Sequence, residues 1–266
     1  MNTDGFQALV WQRGRKLYRA MPWRDNTDPF LVLVSELMLQ QTQVERVIPK
    51  FSSFIARFPD VFSLASASLA DVLIAWSGLG YNRRAKYLHL AAKKIVADFG
   101  GLVPHTQAEL VSLPGVGPNT AAAVLAYGFN QPVVFVETNI RSVYFYHFFE
   151  DVTSVNDQEL REVVRTTLDS AQPRRWYWAL MDYGNSLKRQ GDGPISKSSH
   201  YKKQTPLKGS LREVRGQILR RLTRSDATEA ELRKELVADN RFATALEDLI
   251  QDGMVERSSG QLHLTK

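Results

Sequence analysis

The chain has 266 residues, with 34 Lys and Arg against 28 Asp and Glu, a net charge of +6 and no cysteine. That length and a hydrophobic content of 44% describe a globular protein of one large or two modest domains. The absence of cysteine excludes disulfides, thiolate metal sites and cysteine-held iron–sulfur clusters, and the basic balance favours a polyanionic partner. With no charged-then-apolar leader and no apolar run of membrane-spanning length, the sequence predicts a soluble cytoplasmic protein without a membrane partner.

Helical periodicity dominates. Phe6 to Tyr18 reads as an opening helix ended by Met21-Pro22-Trp23-Arg24. Asp28 is a good N-cap and Pro29 a good first-turn residue for a second helix running from Phe30 to Thr42. That helix is apolar nearly all round, yet it carries Glu36 in its middle. A carboxylate there must be paired, hydrogen-bonded or protonated. Two readings stay open: a buried Glu satisfied by a neighbour such as Arg24, or a raised-pKa carboxyl acting as a general acid.

Further helices are predicted at Val44–Ala56, Leu69–Ser77, Arg83–Phe99 and Gln107–Leu113. Between the second and third lies Gly78-Leu79-Gly80-Tyr81-Asn82-Arg83-Arg84-Ala85-Lys86. This is either a plain helix–helix turn with a solvated charged face or a nucleic-acid contact with Tyr81 or Asn82 near bases. Leu113-Pro114-Gly115-Val116-Gly117-Pro118-Asn119-Thr120 then opens a helix of small residues running to Phe129. Its glycines permit a sharp reversal, and free N–H groups converge at a helix N-terminus, which suits a phosphodiester. Val133–Val136 is an extended apolar run that precedes Glu137-Thr138-Asn139 and a helix from Ile140 to Phe148. Negative charge is favoured at a helix N-terminus, so Glu137 is expected to stay ionised.

Helices at Asp157–Ser170 and Arg174–Arg189 follow. Residues 190–209 are polar and basic and read as either a linker or a nucleic-acid-facing loop, with Lys202, Lys203 and Lys208 as expected contributors to binding a polyanion. Residues 210–266 have the rhythm of a winged helix: helices Leu211–Leu222, Thr228–Leu236 and Arg241–Gln251, then a turn at Asp252-Gly253 and a short hairpin.

Residues 1–189 resemble adenine DNA glycosylases of the MutY type, within the helix-hairpin-helix glycosylase superfamily. The resemblance is carried by Met21–Arg24, by Ser35-Glu36-Leu37-Met38-Leu39-Gln40-Gln41-Thr42-Gln43-Val44, by Gly78–Tyr81, by Leu113–Thr120 and by Ala179–Gly184. It implies a mainly α fold of two helical lobes, followed by the linker and the small winged-helix-like module. It implies a monomer acting on double-stranded DNA with a mismatch or lesion, flipping the target base into a pocket. Glu36 falls on the general acid that protonates the departing base, and Glu137 on an aspartate that stabilises the oxocarbenium character of the sugar. Asn139 falls on the asparagine that orients that carboxylate. Arg24, Gln41, Asn119 and Trp178 fall at the base pocket or wedge. Tyr81, Asn82, Arg83, Gly115, Val116, Gly117, Asn119, Thr120, Lys202 and Lys203 fall on the DNA. Bifunctional lyases of the superfamily place a lysine where Asn119 stands, so the resemblance implies a monofunctional glycosylase.

The expected substrate is adenine opposite 8-oxoguanine or guanine. The alternatives are a mismatch thymine or uracil glycosylase and a non-catalytic DNA-binding relative; a buried acid with Asn139 argues against the last. No cofactor is expected, with the hairpin as the candidate place for a monovalent cation. The sequence departs from the family at Glu137, one methylene longer than aspartate, at Asn82 in place of a tyrosine, and at Trp178 where a Gln or Glu is usual. Lys188 stands where the first cluster cysteine would be, and the winged-helix-like module replaces the domain that reads 8-oxoguanine.

Overall fold

The computed structural model describes residues 2–150, 152, 154–191, 206–236 and 239–266. In chain order the helices are α1 (Thr3–Leu17), α2 (Pro22–Asp25), α3 (Pro29–Leu39), α4 (Val44–Arg57), α5 (Val61–Ser66), α6 (Leu69–Trp76), α7 (Arg83–Phe99) and α8 (Gln107–Val111). They continue as α9 (Pro118–Tyr127), α10 (Thr138–Phe148), α11 (Asp157–Thr167), α12 (Pro173–Gln190), α13 (Leu211–Leu222), α14 (Glu229–Glu235) and α15 (Arg241–Gln251). Two strands, β1 (Val255–Ser258) and β2 (Gln261–Leu264), close the chain. The chain divides into two compact units, one of Met1–Glu36, His105–Ser112 and Val116–Lys203, the other of Leu37–Pro104, Leu113–Gly115 and Gln204–Lys266.

In the first unit, α1, α10 and α12 pack on one another. Phe6 sits at the centre, with its ring 5.2 Å from Tyr144, 4.8 Å from Phe148 and 6.1 Å from Trp176. Tilted and edge-on rings at such separations gain from their quadrupoles as well as from burial. Close approach depends on Gly184: a Cβ there would lie 2.0 Å from the carbonyl oxygen of Asn139, so α12 meets the start of α10 only because that side chain is missing. Asp28 starts α3 as predicted, accepting from the N–H of Phe30 at 2.8 Å.

The extended run at Val133–Val136 forms no strand because side chains take its carbonyls. Tyr177 donates to Val133, Arg161 to Val134 and Asn119 to Val136.

In the second unit, α7 is covered by α5 and α6, and α6 by α4. Trp76 and Phe54 are fully buried there, 6.0 Å apart. The short helices α2 and α5 are absent from the sequence-based expectation. Asp60 and Ser63 form a reciprocal capping box on α5, which lets a six-residue helix hold. The same unit contains the three helices and the hairpin of residues 210–266, the C-terminal module: α13 packs on α15, and β1 pairs antiparallel with β2, Val255 opposite Leu264. Ser259 and Gly260 both take positive φ, the requirement of a two-residue hairpin turn. Strand β2 also touches α6, which attaches the module to the helices of its own unit. Among the described residues no helix is long and apolar enough to cross a membrane.

Candidate active site

Glu36 of α3 and Glu137 at the N-cap of α10 belong to the same unit. Each residue keeps part of its surface open while its carboxyl is enclosed by protein. The pKa of Glu36 is pushed up to about 8, by burial first and by the charge of Glu137 second. Burial also raises Glu137, but the N–H of Thr138 and the charge of Arg141 pull it back. The helix N-terminus therefore opposes the shift that burial imposes on Glu137. Two carboxyls whose surroundings separate their proton affinities are the requirement for one acid and one anion in a single site.

The backbone leading into Glu137 is pinned. Asn119, in the first turn of α9, donates through Nδ2 to Val136 at 3.2 Å and accepts from Arg161 Nη2 at 3.1 Å. Arg161 reaches on to the carbonyl of Val134 at 3.3 Å. Asn119 is thus a bracket between two chain segments. Asn139 accepts through Oδ1 from Lys188 Nζ at 3.3 Å, and among the described residues no hydrogen bond joins it to Glu137. Burial lowers the pKa of Lys188.

Arg24 is not the partner of Glu36. It is buried and makes a two-pronged pair with Asp182, at 2.7 and 3.1 Å, and Arg19 joins the same carboxylate at 2.7 Å. The Arg24 guanidinium also lies over the rings of Tyr18 and Trp178, at 5.4 and 5.3 Å. Asp182, a buried carboxylate within an aromatic helix, is paired with two arginines, and Arg24 is committed to it. Trp178 and Arg24 line a cavity of about 310 Å³ together with Asp25, Thr27, Asn130 and Arg174; neither glutamate lines it. Trp178 stacks on Tyr127, 6.5 Å away and 20° from parallel. The phenol of Tyr127 is buried, and its pKa rises well above the usual value through burial and then the charge of Glu36.

In the second unit, Gln41 and Tyr81 are both held at positive φ, +55° and +49°. Non-glycine residues rarely adopt this region, and strain of this kind collects at functional turns. Helix α3 stops at Leu39 where the sequence predicted Thr42, so Gln41 stands in the turn beyond it, exposed. One residue that sequence reasoning missed holds both turns. Arg84 is buried and donates to the carbonyls of Leu37, Met38 and Gln40 at 2.7, 2.8 and 2.7 Å, and to Gly80 at 3.2 Å. Burial brings its pKa down to about 10. Its signal in sequence was only a second arginine beside Arg83. Arg83 itself forks onto Asp252 at 2.8 and 3.0 Å, and Asn82 sits at the N-cap of α7 without a side-chain cap bond.

The Leu113–Thr120 loop reverses as predicted. Gly115 takes φ +78°, and a Cβ there would lie 2.7 Å from that of Tyr87, so only glycine fits. Gly117 is the extended N-cap of α9 and Pro118 its first residue. Leu113 and Val116 are buried while Gly115 and Gly117 are exposed, so what the loop offers a ligand is main chain. Thr120 is half-buried in the first turn of α9. Lys202 and Lys203 lie outside the described residues. Among the described residues no group of three or more acidic or histidine side chains could hold a metal ion.

The HhH-GPD superfamily of base excision DNA repair proteins matches residues 34–166. An adenine DNA glycosylase of Mycolicibacterium smegmatis is 34% identical over 280 residues, covering 97% of this chain and 94% of that protein. One from Buchnera aphidicola is 36% identical over 175 residues, and the chain spans about half of that relative, 48%. Among solved structures, a thermostable thymine-DNA glycosylase superposes with a TM-score of 0.64 at 24% identity, covering 73% of this chain and 94% of that one. The glycine turn of Gly115–Pro118 and the two enclosed glutamates thus sit in a chain that belongs to the HhH-GPD superfamily of base excision DNA repair proteins, and within it to the adenine DNA glycosylases.

Proposed function

We propose that the protein is a monofunctional DNA glycosylase that hydrolyses the N-glycosidic bond of mispaired adenine, opposite 8-oxoguanine or guanine, after flipping it from the duplex. The observation that carries this reading is the pair of enclosed carboxyls Glu36 and Glu137 in one unit: burial and the charge of Glu137 push the first up to about 8, and burial raises the second while the Thr138 N–H and the charge of Arg141 pull it back. An N-glycosidic bond breaks when the leaving base is protonated while negative charge supports the sugar cation. Glu36, protonated at neutral pH, gives its proton to the departing base. Glu137, as carboxylate, stabilises the developing oxocarbenium until water adds to the anomeric carbon. The product is a free base and an abasic site. Asn119 has no amine with which to form a Schiff base, so the strand stays intact.

The exposed main chain of Gly115 and Gly117 holds a backbone phosphate of the DNA, Gln41 enters the duplex, and Tyr81 and Asn82 lie along the opposing strand. The test is a panel of labelled duplexes carrying adenine opposite 8-oxoguanine, guanine or thymine, and thymine or uracil opposite guanine. Each is scored for abasic sites with and without alkali. Adenine release that needs alkali for strand scission supports the reading. Release of only thymine or uracil reassigns the substrate, and binding without any base release leaves a DNA-binding protein.

A further inference from the structure

The turn at residues 78–86 is gripped by the C-terminal module of its own unit. Asp252, just past α15, accepts from Arg83 Nε at 2.8 Å and Nη2 at 3.0 Å. Arg215 of α13 joins the same carboxylate, and Lys86 donates to the Asp252 carbonyl. Burial pushes the Asp252 carboxyl up, but the bonds from Arg83 and Arg215 outweigh it and hold its pKa below the usual value. Arg212 donates to the Tyr81 hydroxyl and lies over the Tyr81 ring at 5.2 Å, while Arg84 lies over the same ring at 5.4 Å. The strained Tyr81 is therefore held by two guanidiniums, one from the turn and one from the module. The Arg83 side chain is 59% exposed, so Asp252 is what restrains it from meeting an outside anion.

The outer face of the module points the same way. In helix-turn-helix proteins the recognition helix carries the groove contacts. Here the exposed positions of α15 include Ala243, Thr244, Glu247 and Gln251, with no cation among those four. Arg241 at its start is engaged by Asp239 and Glu213, and Arg257 on the hairpin by Glu229. A polyanion finds little to hold on that face of α15.

We propose that the C-terminal module is an inward-acting clamp on the turn at residues 78–86, in which Asp252 restrains Arg83 and Lys86 and Arg212 fixes Tyr81, so that the module sets how strongly the turn grips the DNA backbone. The inference rests on the DNA-binding reading above. Asp252 and Arg212 are positioning residues: they act through Arg83, Lys86 and Tyr81.

The experiment measures equilibrium binding of the full chain to an undamaged duplex oligonucleotide across a range of salt concentrations. Asp252→Asn releases Arg83, and each added phosphate contact steepens the slope of log K against log salt by about 0.9. The expected result is binding roughly 3- to 10-fold tighter at low salt with a slope steeper by about that amount. Adding Arg83→Gln to Asp252→Asn should remove the gain. Unchanged or weaker binding by Asp252→Asn, or a gain that survives Arg83→Gln, overturns the clamp. If Asp252→Asn does not fold, Glu247→Lys on the exposed face of α15 decides: unchanged slope and affinity support an inward-acting module, and tighter binding overturns it. Wild-type protein that binds no duplex at all sinks the DNA-binding reading and the clamp together, whereas the other adverse results sink the clamp alone.

Discussion

The side-chain amide of Asn119 donates to the carbonyl of Val136 at 3.2 Å, joining the start of α9 to the residue before Glu137. The first turn of α9 and the carboxylate proposed to face the sugar are thereby joined within the first unit, backed by Arg161. Asn119→Ala removes that bond and leaves the Val136 carbonyl without its partner. Misplacing a reacting group by near 1 Å can cost about 10²-fold in rate. We expect single-turnover base release by Asn119→Ala to fall roughly 10- to 100-fold with duplex affinity little changed. A parallel loss of affinity and rate would instead mean that Asn119 touches the DNA.

Asp182 holds Arg24 and Arg19 inside the first unit, with its own side chain 1% exposed. Asp182→Asn leaves two guanidiniums facing a neutral amide, one of them buried. Breaking a buried pair from one side costs about 3–5 kcal/mol. Thermal unfolding should show Tm lowered by roughly 6–20 °C at that cost for a chain of this size. A Tm within a degree or two of wild type would mean that water or another anion replaces the carboxylate.

Glu36 should reduce stability in the pH range where the enzyme works. Its folded pKa is about 8 against an ordinary value of 4.5. A group whose folded pKa is raised favours the folded state below pH 4.5, and that contribution is lost as pH rises through 8. Glu36→Gln, always neutral, should therefore have a Tm at or near wild type at pH 4 and a clearly higher one at pH 8.5. Equal Tm differences at the two pH values would contradict the raised pKa.

Glu137 is one methylene longer than aspartate, roughly 1.5 Å of extra reach. Its backbone is fixed by the bonds to Val133, Val134 and Val136, so the extra length must be folded into the side chain. We expect Glu137→Asp to keep or raise the rate on the adenine substrate, while Glu137→Gln loses about 10²-fold or more. Glu137→Gln at the wild-type rate would remove the carboxylate from the chemistry.

Much of this was legible in sequence because long helices announce themselves. The caps at Asp28 and Gly117–Pro118 and the small residues of α9 read correctly, as did the hairpin at Ser259-Gly260. The short α2 and α5 did not, since four to six residues carry too few periods for a pattern to show. Glu36 stood out as an acid in an apolar helix, but its partner did not. Arg24 looked like a neighbour of Glu36 and belongs to Asp182, 158 positions away. Arg84 and Arg161 were missed, and the Asn139 partner of Lys188 with them, for the same reason: these bonds reach across 27 to 49 positions, a separation at which local pattern holds no information. Asp252 was read only as a turn residue, because nothing near it in sequence reveals that it restrains Arg83.

The proposed chemistry turns on Glu36 giving its proton to the leaving base. The most direct measurement is the single-turnover rate of adenine release from an adenine–8-oxoguanine duplex, by wild type and Glu36→Gln, across pH 6 to 9.5. Wild type should be fast and flat at the acid end and fall toward a tenfold loss per pH unit above about 8, the pKa of Glu36. Glu36→Gln should be slower by at least about 10²-fold, without the alkaline limb and with duplex binding intact. A Glu36→Gln enzyme that releases adenine at the wild-type rate, or one that keeps the same alkaline limb, would contradict the assignment.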